Sequence, residues 1–370
     1  MKVGSSVNND KITASQFMFA IVCYVESFAL LTAFSLTVTH QDTWIAFLLG
    51  MVGALPMIFI NLYLIKQYPN QNLIQINRVV YGKPVGSLIS VLYCWYFLTL
   101  CSLNLRDTGD FLRMSVMSET PSIFIKIPFL VLCSYAVLKG LKIIVRYSTV
   151  FAYIGFFALI LTTILVSRRM NYHNLLPVLT TSPVKLLQCI NMVMTIPFGT
   201  SIFLMIAPAV QDQKKVKKSF LTGFFVGALV ILIVVIRDIV VLGKISEELV
   251  LPSYETMCLS GVTETFQRLD ILYVILLVIL EYFKISLLFY ATSVAISQLL
   301  SLKSYKPLVL VIGALILVYS FIIFPSSIVH LAVTQTTIPV LWLLFEYIFP
   351  FVTFLCTKLR ARKEVPAIKS

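Results

Sequence analysis

The chain has 370 residues, of which 59% are hydrophobic and 12% charged, with a mean hydropathy of +0.94. Soluble domains carry about a quarter charged residues, so composition excludes a soluble globule and points to a polytopic membrane protein. The net charge of +13 lies in short Lys/Arg clusters between apolar runs, which is the pattern of loops facing anionic lipid and not of a nucleic-acid surface.

The polar start MKVGSSVNNDKIT lacks the basic, apolar and cleavable parts of a signal peptide, so the first helix is expected to stay in the mature chain. Apolar runs of spanning length follow at 14–38, 44–65, 86–106, 121–138, 149–167, 188–209, 219–241, 271–300, 308–328 and 335–357, which predicts ten transmembrane helices. Thr13 and Gln16 have the spacing of a capping box for the first. Residues 68–83 alternate polar and apolar positions and predict a short amphipathic helix lying on the cytoplasmic face of the membrane. Gly223 and Gly227 in the seventh run permit close helix packing. The stretch 244–270 is the largest connection, and it reads as a lid, a docking surface or a solvated link.

Lys and Arg concentrate on alternate connections. Lys66, Arg78 and Lys83, Lys139, Lys142 and Arg146, Lys214, Lys215, Lys217 and Lys218, Lys303 and Lys306, and the basic tail 358–370 all fall on the side of the N-terminus. The positive-inside rule then places both termini in the cytoplasm. Arg237 is expected toward the outer end of the seventh run, and Lys126 to snorkel. His40, His173 and His330 fall in outer connections and read as surface residues. The seven cysteines show neither a disulfide framework nor metal-ligand spacing.

The ten runs split at 168–187 into two sets of five, an odd number, so homologous halves would be inverted in the bilayer. The expected organisation is one permease domain, with repeats at 14–167 and 188–357 and the tail at 358–370. Inverted-repeat transporters bind substrate near the midplane at discontinuous helices. In the sixth run, Pro197 removes a backbone donor and Gly199 lowers the barrier to unwinding. A break at that depth is tolerated only where protein or a polar cavity satisfies the backbone. The offset between the starts of the first and sixth runs pairs this break with Tyr24, Val25, Glu26 and Ser27, although 14–40 contains neither Gly nor Pro.

A charge at the bilayer centre costs about 2.5–3.5 kcal/mol on insertion scales, so intramembrane ionisable residues are candidate functional groups. Glu281 and Lys284 share one helical face and can neutralise each other, either as part of a site or as a self-satisfied pair. Glu26 has no local partner, and Lys284 is its expected contact. Glu346 reads as a packing or lateral-interface residue. Tyr93, Trp95, Tyr96 and Thr99, with Phe198 and Phe203, form either an aromatic pocket or core. No nucleotide loop, nucleophile motif or metal spacing is present, so neither enzymatic activity nor a cofactor is expected.

Several stretches resemble the B subunit of bacterial spore germinant receptors, the endospore germination permease family. They are Lys11-Ile12-Thr13-Ala14-Ser15-Gln16, Gln41-Asp42-Thr43-Trp44-Ile45, Asn174-Leu175-Leu176-Pro177-Val178-Leu179, Pro197-Phe198-Gly199 followed by Phe203 and Pro208, and Gln267-Arg268-Leu269-Asp270. The resemblance implies a ten-helix, LeuT-like fold of the amino acid, polyamine and organocation transporter superfamily in the spore inner membrane. It also implies work with an A subunit and a lipoprotein C subunit, and binding of a small nutrient such as an amino acid that triggers germination. Thr200 stands where relatives often carry glutamate, and Glu26 is the expected substitute for that charge. The resulting expected ligand site comprises Tyr24, Glu26, Ser27, Tyr96, Thr99, Phe198, Gly199, Thr200, Phe203, Glu281 and Lys284. Competing readings are a proton- or sodium-coupled amino acid transporter, with Glu281 or Glu26 carrying the proton, and a ligand-gated cation channel subunit.

Overall fold

The computed structural model describes residues 11–259 and 270–363. Each of the ten expected runs is helical in whole or in part. The first is split into α1 (Ala14–Glu26), a 3-10 turn (Ser27–Leu31) and α2 (Thr32–Thr39). Then follow α3 (Thr43–Gln67), α4 (Leu73–Ser115), α5 (Ser122–Lys139) and α6 (Leu141–Val166). The second half holds α7 (Pro183–Thr195), α8 (Phe203–Ile206), α9 (Val216–Leu242), the short α10 (Pro252–Cys258), α11 (Asp270–Leu299), α12 (Val309–Ile322) and α13 (Ser327–Gln335). It closes with α14 (Thr337–Leu343), a π-helical turn (Leu344–Ile348) and α15 (Phe349–Lys363).

Among the described residues, seven helical stretches are long and apolar enough to cross a membrane, or eight if the pair bent by 95° at α12 and α13 is one span. The shortfall against ten falls on the first, sixth and ninth runs, each of which is interrupted. At the ninth, Pro325 ends the helical path and Ser326 caps the new helix by accepting from the Val329 N–H.

Local chemistry sets the ends. Thr13 and Gln16 form the expected capping box on α1. Asn72 and Gln75 form a second one, opening the amphipathic helix predicted between the second and third runs. That helix joins the third span through a kink at Gly82 (φ 77°). Gly140 (φ 96°) separates α5 from α6, which starts eight residues before the expected boundary because apolar length alone does not register residues 141–148 as spanning.

The first helix sits at the centre. α1 packs on α9, α6 and α11, while α11 packs on α4 and α3 on α7. Gly223 and Gly227 allow α9 to approach α1 closely, since a methyl at Gly223 would meet the Met18 carbonyl and one at Gly227 would meet Val25. At the N-terminal face, Ile12 and Val210 form an isolated bridge, with the Ile12 N–H donating to the Ala209 carbonyl at 2.9 Å. On the opposite face, the Leu179 and Thr181 N–H groups donate to the Asp42 carboxylate at 2.7 and 2.8 Å.

Several charged side chains lie deeper than sequence alone suggested. Lys126 is buried with its ammonium 4.2 Å from the centre of the Phe321 ring, so it does not snorkel. His330 is buried, stacks on Phe324 and sits 3.3 Å from Asp107, so it is not a surface residue. Arg237 is buried against the adjacent Asp238 at 2.9 Å and donates to Thr162 at 3.0 Å. In each case a nearby carboxylate, hydroxyl or aromatic face compensates the loss of water, which a hydropathy profile cannot register.

Candidate functional site in the broken sixth segment

α7 ends at Thr195, and the chain leaves helical geometry from Ile196 until Phe203. Pro197 cannot donate, and at Gly199 a side chain would strike the Thr195 carbonyl and the Glu346 carboxyl group. The exposed backbone polarity is met by a residue far away in sequence. The N–H groups of Thr200 and Ser201 donate to Glu346 Oε2 at 2.7 and 2.9 Å. The Ser201 hydroxyl and the Tyr96 hydroxyl donate to Oε1, the latter at 2.7 Å. Asn61 on α3 donates to the Thr200 hydroxyl at 3.1 Å.

Glu346 reaches this position from the π-helical turn between α14 and α15. Insertion of a π turn shifts the register of the helix and frees a carbonyl, a feature that recurs at functional sites. Here the Phe345 carbonyl accepts from Tyr93 at 2.8 Å, and the Phe345 ring stacks on Tyr96 with centroids 4.5 Å apart. Two tyrosines of α4 therefore hold the turn that presents the carboxylate.

The expected site residues separate into groups. Tyr96, Gly199 and Thr200 converge on Glu346. Tyr24 and Phe203 meet edge to face at 5.3 Å and join the first segment to the far side of the break. Phe198 turns away from them, packing on Phe47 of α3 and Phe224 of α9. Ser27 caps its own turn by donating to the Tyr24 carbonyl at 2.7 Å. Thr99 is buried with its hydroxyl unpartnered. Glu281 and Lys284 pair at 2.8 Å, and the ammonium lies 3.8 Å from the centre of the Phe28 ring.

Glu26 is placed differently from the sequence expectation. Its carboxylate lies against Gly155 on α6, in a cavity shared with Thr162, Arg237 and Tyr273, and its Oε2 has no hydrogen-bond partner. No ion pair joins it to Lys284 among the described residues. The carboxyl group beside Thr200 comes from Glu346, and Glu346 is neither lateral nor simply packed. The available signal was a lone carboxylate within an apolar run; its direction was hidden because the π turn breaks the regular helical period.

Residues 11–328 match the family described as spore germination protein. The chain belongs to the spore germination protein family. Spore germination protein KB of Bacillus subtilis (strain 168) is 31% identical over 346 residues, covering 92% of each chain. Spore germination protein YndE of the same organism is 25% identical over 363 residues, 96% of this chain and 98% of that one. Among solved structures, MhsT in complex with L-phenylalanine superposes with a TM-score of 0.67 at 12% identity, covering 94% of this chain and 99% of that chain. Mhp1, a nucleobase-cation-symport-1 family transporter with bromovinylhydantoin bound, gives 0.64 at 10%, covering 91% and 80%.

These likenesses make this spore germination protein a multi-pass, all-helical membrane protein with the LeuT-type transporter fold, and its family and fold are those of permeases and not of enzymes. The resemblance motifs also meet in space. Gln41 donates to the Pro177 carbonyl at 3.2 Å while Asp42 accepts from Leu179, and the Lys11-Ile12-Thr13 segment bridges to the chain just beyond Pro208. The fifth such segment falls, at Gln267-Arg268-Leu269, outside the described residues.

Proposed function

We propose that this chain is the membrane subunit of a spore germinant receptor, binding a small nutrient at the broken sixth segment and passing the signal to partner subunits. The observation that carries the reading is the break itself. In a member of the spore germination protein family, an unwound stretch deep in the bundle is held by side chains from α3, α4 and the π turn, so a ligand there would touch three parts of the bundle at once. The ligand would lie among Gly199, Thr200, Tyr96 and Thr99, with Tyr24, Ser27 and Phe203 at one side and the Glu281–Lys284 pair beyond Phe28. Differential affinity for two packings of the bundle would then shift their populations.

The same reading includes an A subunit and a lipoprotein C subunit as partners, the spore inner membrane as the location, both termini in the cytoplasm and two inverted repeats at 14–167 and 188–357. Spores lacking this chain, tested against amino acids, sugars and nucleosides, are expected to lose the response to one nutrient. Unchanged germination on every nutrient, in a strain with no redundant relative, would overturn the assignment. Accumulation of a labelled solute in proteoliposomes carrying this chain alone would instead favour a coupled transporter.

A further inference from the structure

The break in the sixth segment presents four hydrogen-bond donors to one point: the N–H groups of Thr200 and Ser201 and the hydroxyls of Ser201 and Tyr96. Such a nest suits the carboxylate of a ligand, but here the Glu346 carboxylate fills it. Backbone N–H groups only donate, so Oε2 accepts from both of them. A carboxylate offers roughly four lone-pair positions, and four donors occupy them.

We infer that Glu346 is a resident occupant of the position where a ligand carboxylate would bind, and that it restricts the site to an uncharged, hydroxyl-bearing nutrient. The inference rests on the binding role proposed for the break and narrows its ligand class, replacing the amino acid suggested by family resemblance. A ligand carboxylate would find every donor of the nest already engaged by Glu346 and its own charge buried without a partner. Nor do the neighbouring basic side chains offer an alternative. Lys284 is paired with Glu281 at 2.8 Å, and His330 with Asp107 at 3.3 Å.

A second, independent observation concerns the cavity next to the nest. Beside the break lies a small cavity lined in part by Phe28, Asn104, Asp107, His330, Thr334 and Trp342. The Thr334 hydroxyl and the Trp342 indole N–H are buried there without hydrogen-bond partners. Trp342 also packs on Tyr96 with centroids 5.6 Å apart, which connects the cavity to the nest. With Asp107 and His330 engaged with each other, the unpartnered hydroxyl and indole N–H set among aromatic faces complement a compact solute that carries hydroxyl groups.

The test uses the full chain purified in detergent, wild type and Glu346→Ala, with thermal unfolding as readout. The probes are acetate, L-alanine and a panel of monosaccharides and nucleosides. Expected results are a shift of the wild type by at least one uncharged solute and none by acetate or L-alanine. The variant is expected to bind acetate about tenfold or more tightly than wild type does, the scale of one charge-assisted hydrogen bond. Acetate or L-alanine shifting the wild type as much as the variant overturns the inference, as does a wild type shifted by no uncharged solute. If the variant fails to fold, the wild-type arm still decides. Failure here leaves the receptor assignment standing, because that assignment is tested by spore germination and not by the charge of the ligand.

Discussion

The two interruptions near the middle of the bundle are built in opposite ways. At 196–202 the helix opens, and a carboxylate from the π turn rebonds the freed amides. At 27–31 the helix tightens into 3-10 geometry, its bonds stay local, and the adjacent Glu26 carboxylate is left against Gly155 with an unpartnered oxygen. Pro197 and Gly199 account for the difference. Proline removes a donor and glycine admits the open path, whereas a stretch without either keeps its hydrogen bonds by shortening them. An opened backbone needs a distant partner, and a tightened one does not.

The largest expected effect is therefore at Glu346. Replacing it by alanine leaves two backbone N–H groups and two hydroxyls without their acceptor, a loss of about 2–5 kcal/mol on unfolding in detergent. An equal loss from Glu26→Ala would erase the contrast between the two breaks. Next comes Gly199→Ala. Its methyl meets the Thr195 backbone carbonyl as well as Glu346, and a carbonyl cannot yield, so about 1–3 kcal/mol is expected from overpacking. Gly155→Ala should cost less than about 1 kcal/mol, because the atoms its methyl meets belong to the far end of the Glu26 side chain, which can rotate away. Parallel melting curves of the two alanine variants measure the contrast directly.

Most of the fold was legible because apolar run length and charge placement act locally. The capping box at Thr13, the amphipathic helix after Asn72, the break at Pro197 and the small-residue face at Gly223 and Gly227 follow from residues near one another in sequence. The site was less legible because its decisive contact spans 146 residues, from Thr200 to Glu346. Intramembrane charge identified the candidates, but it could not assign partners. Glu26 and Lys284 were matched by sign, yet Glu26 faces α6 and Lys284 faces Glu281 and Phe28. The tightened turn at Ser27–Leu31 carried no Gly or Pro, and only the offset from the sixth run pointed near it, since 3-10 geometry demands no special residue.

Asp42 bears on both interruptions, because it ties the end of the first segment to the start of the sixth. It lies in the turn between α2 and α3, and it accepts from the N–H groups of Leu179 and Thr181 just before α7. Burial by itself would raise its carboxyl, but the bonds from Thr181, Leu179 and Thr180 outweigh it and hold the carboxyl below the usual carboxylate range. A lowered pKa in the folded state means that this contribution is complete above the unfolded carboxylate value, about 4, and is lost as pH falls through the lower folded value. Melting temperature should thus stay insensitive to Asp42 protonation from neutral pH down to about 5 and decline only in acid. Asp42→Asn should flatten that acid decline. If the decline in the variant matched wild type, the tie between the two broken segments would contribute nothing through its charge, and each interruption would have to be held by its own surroundings alone.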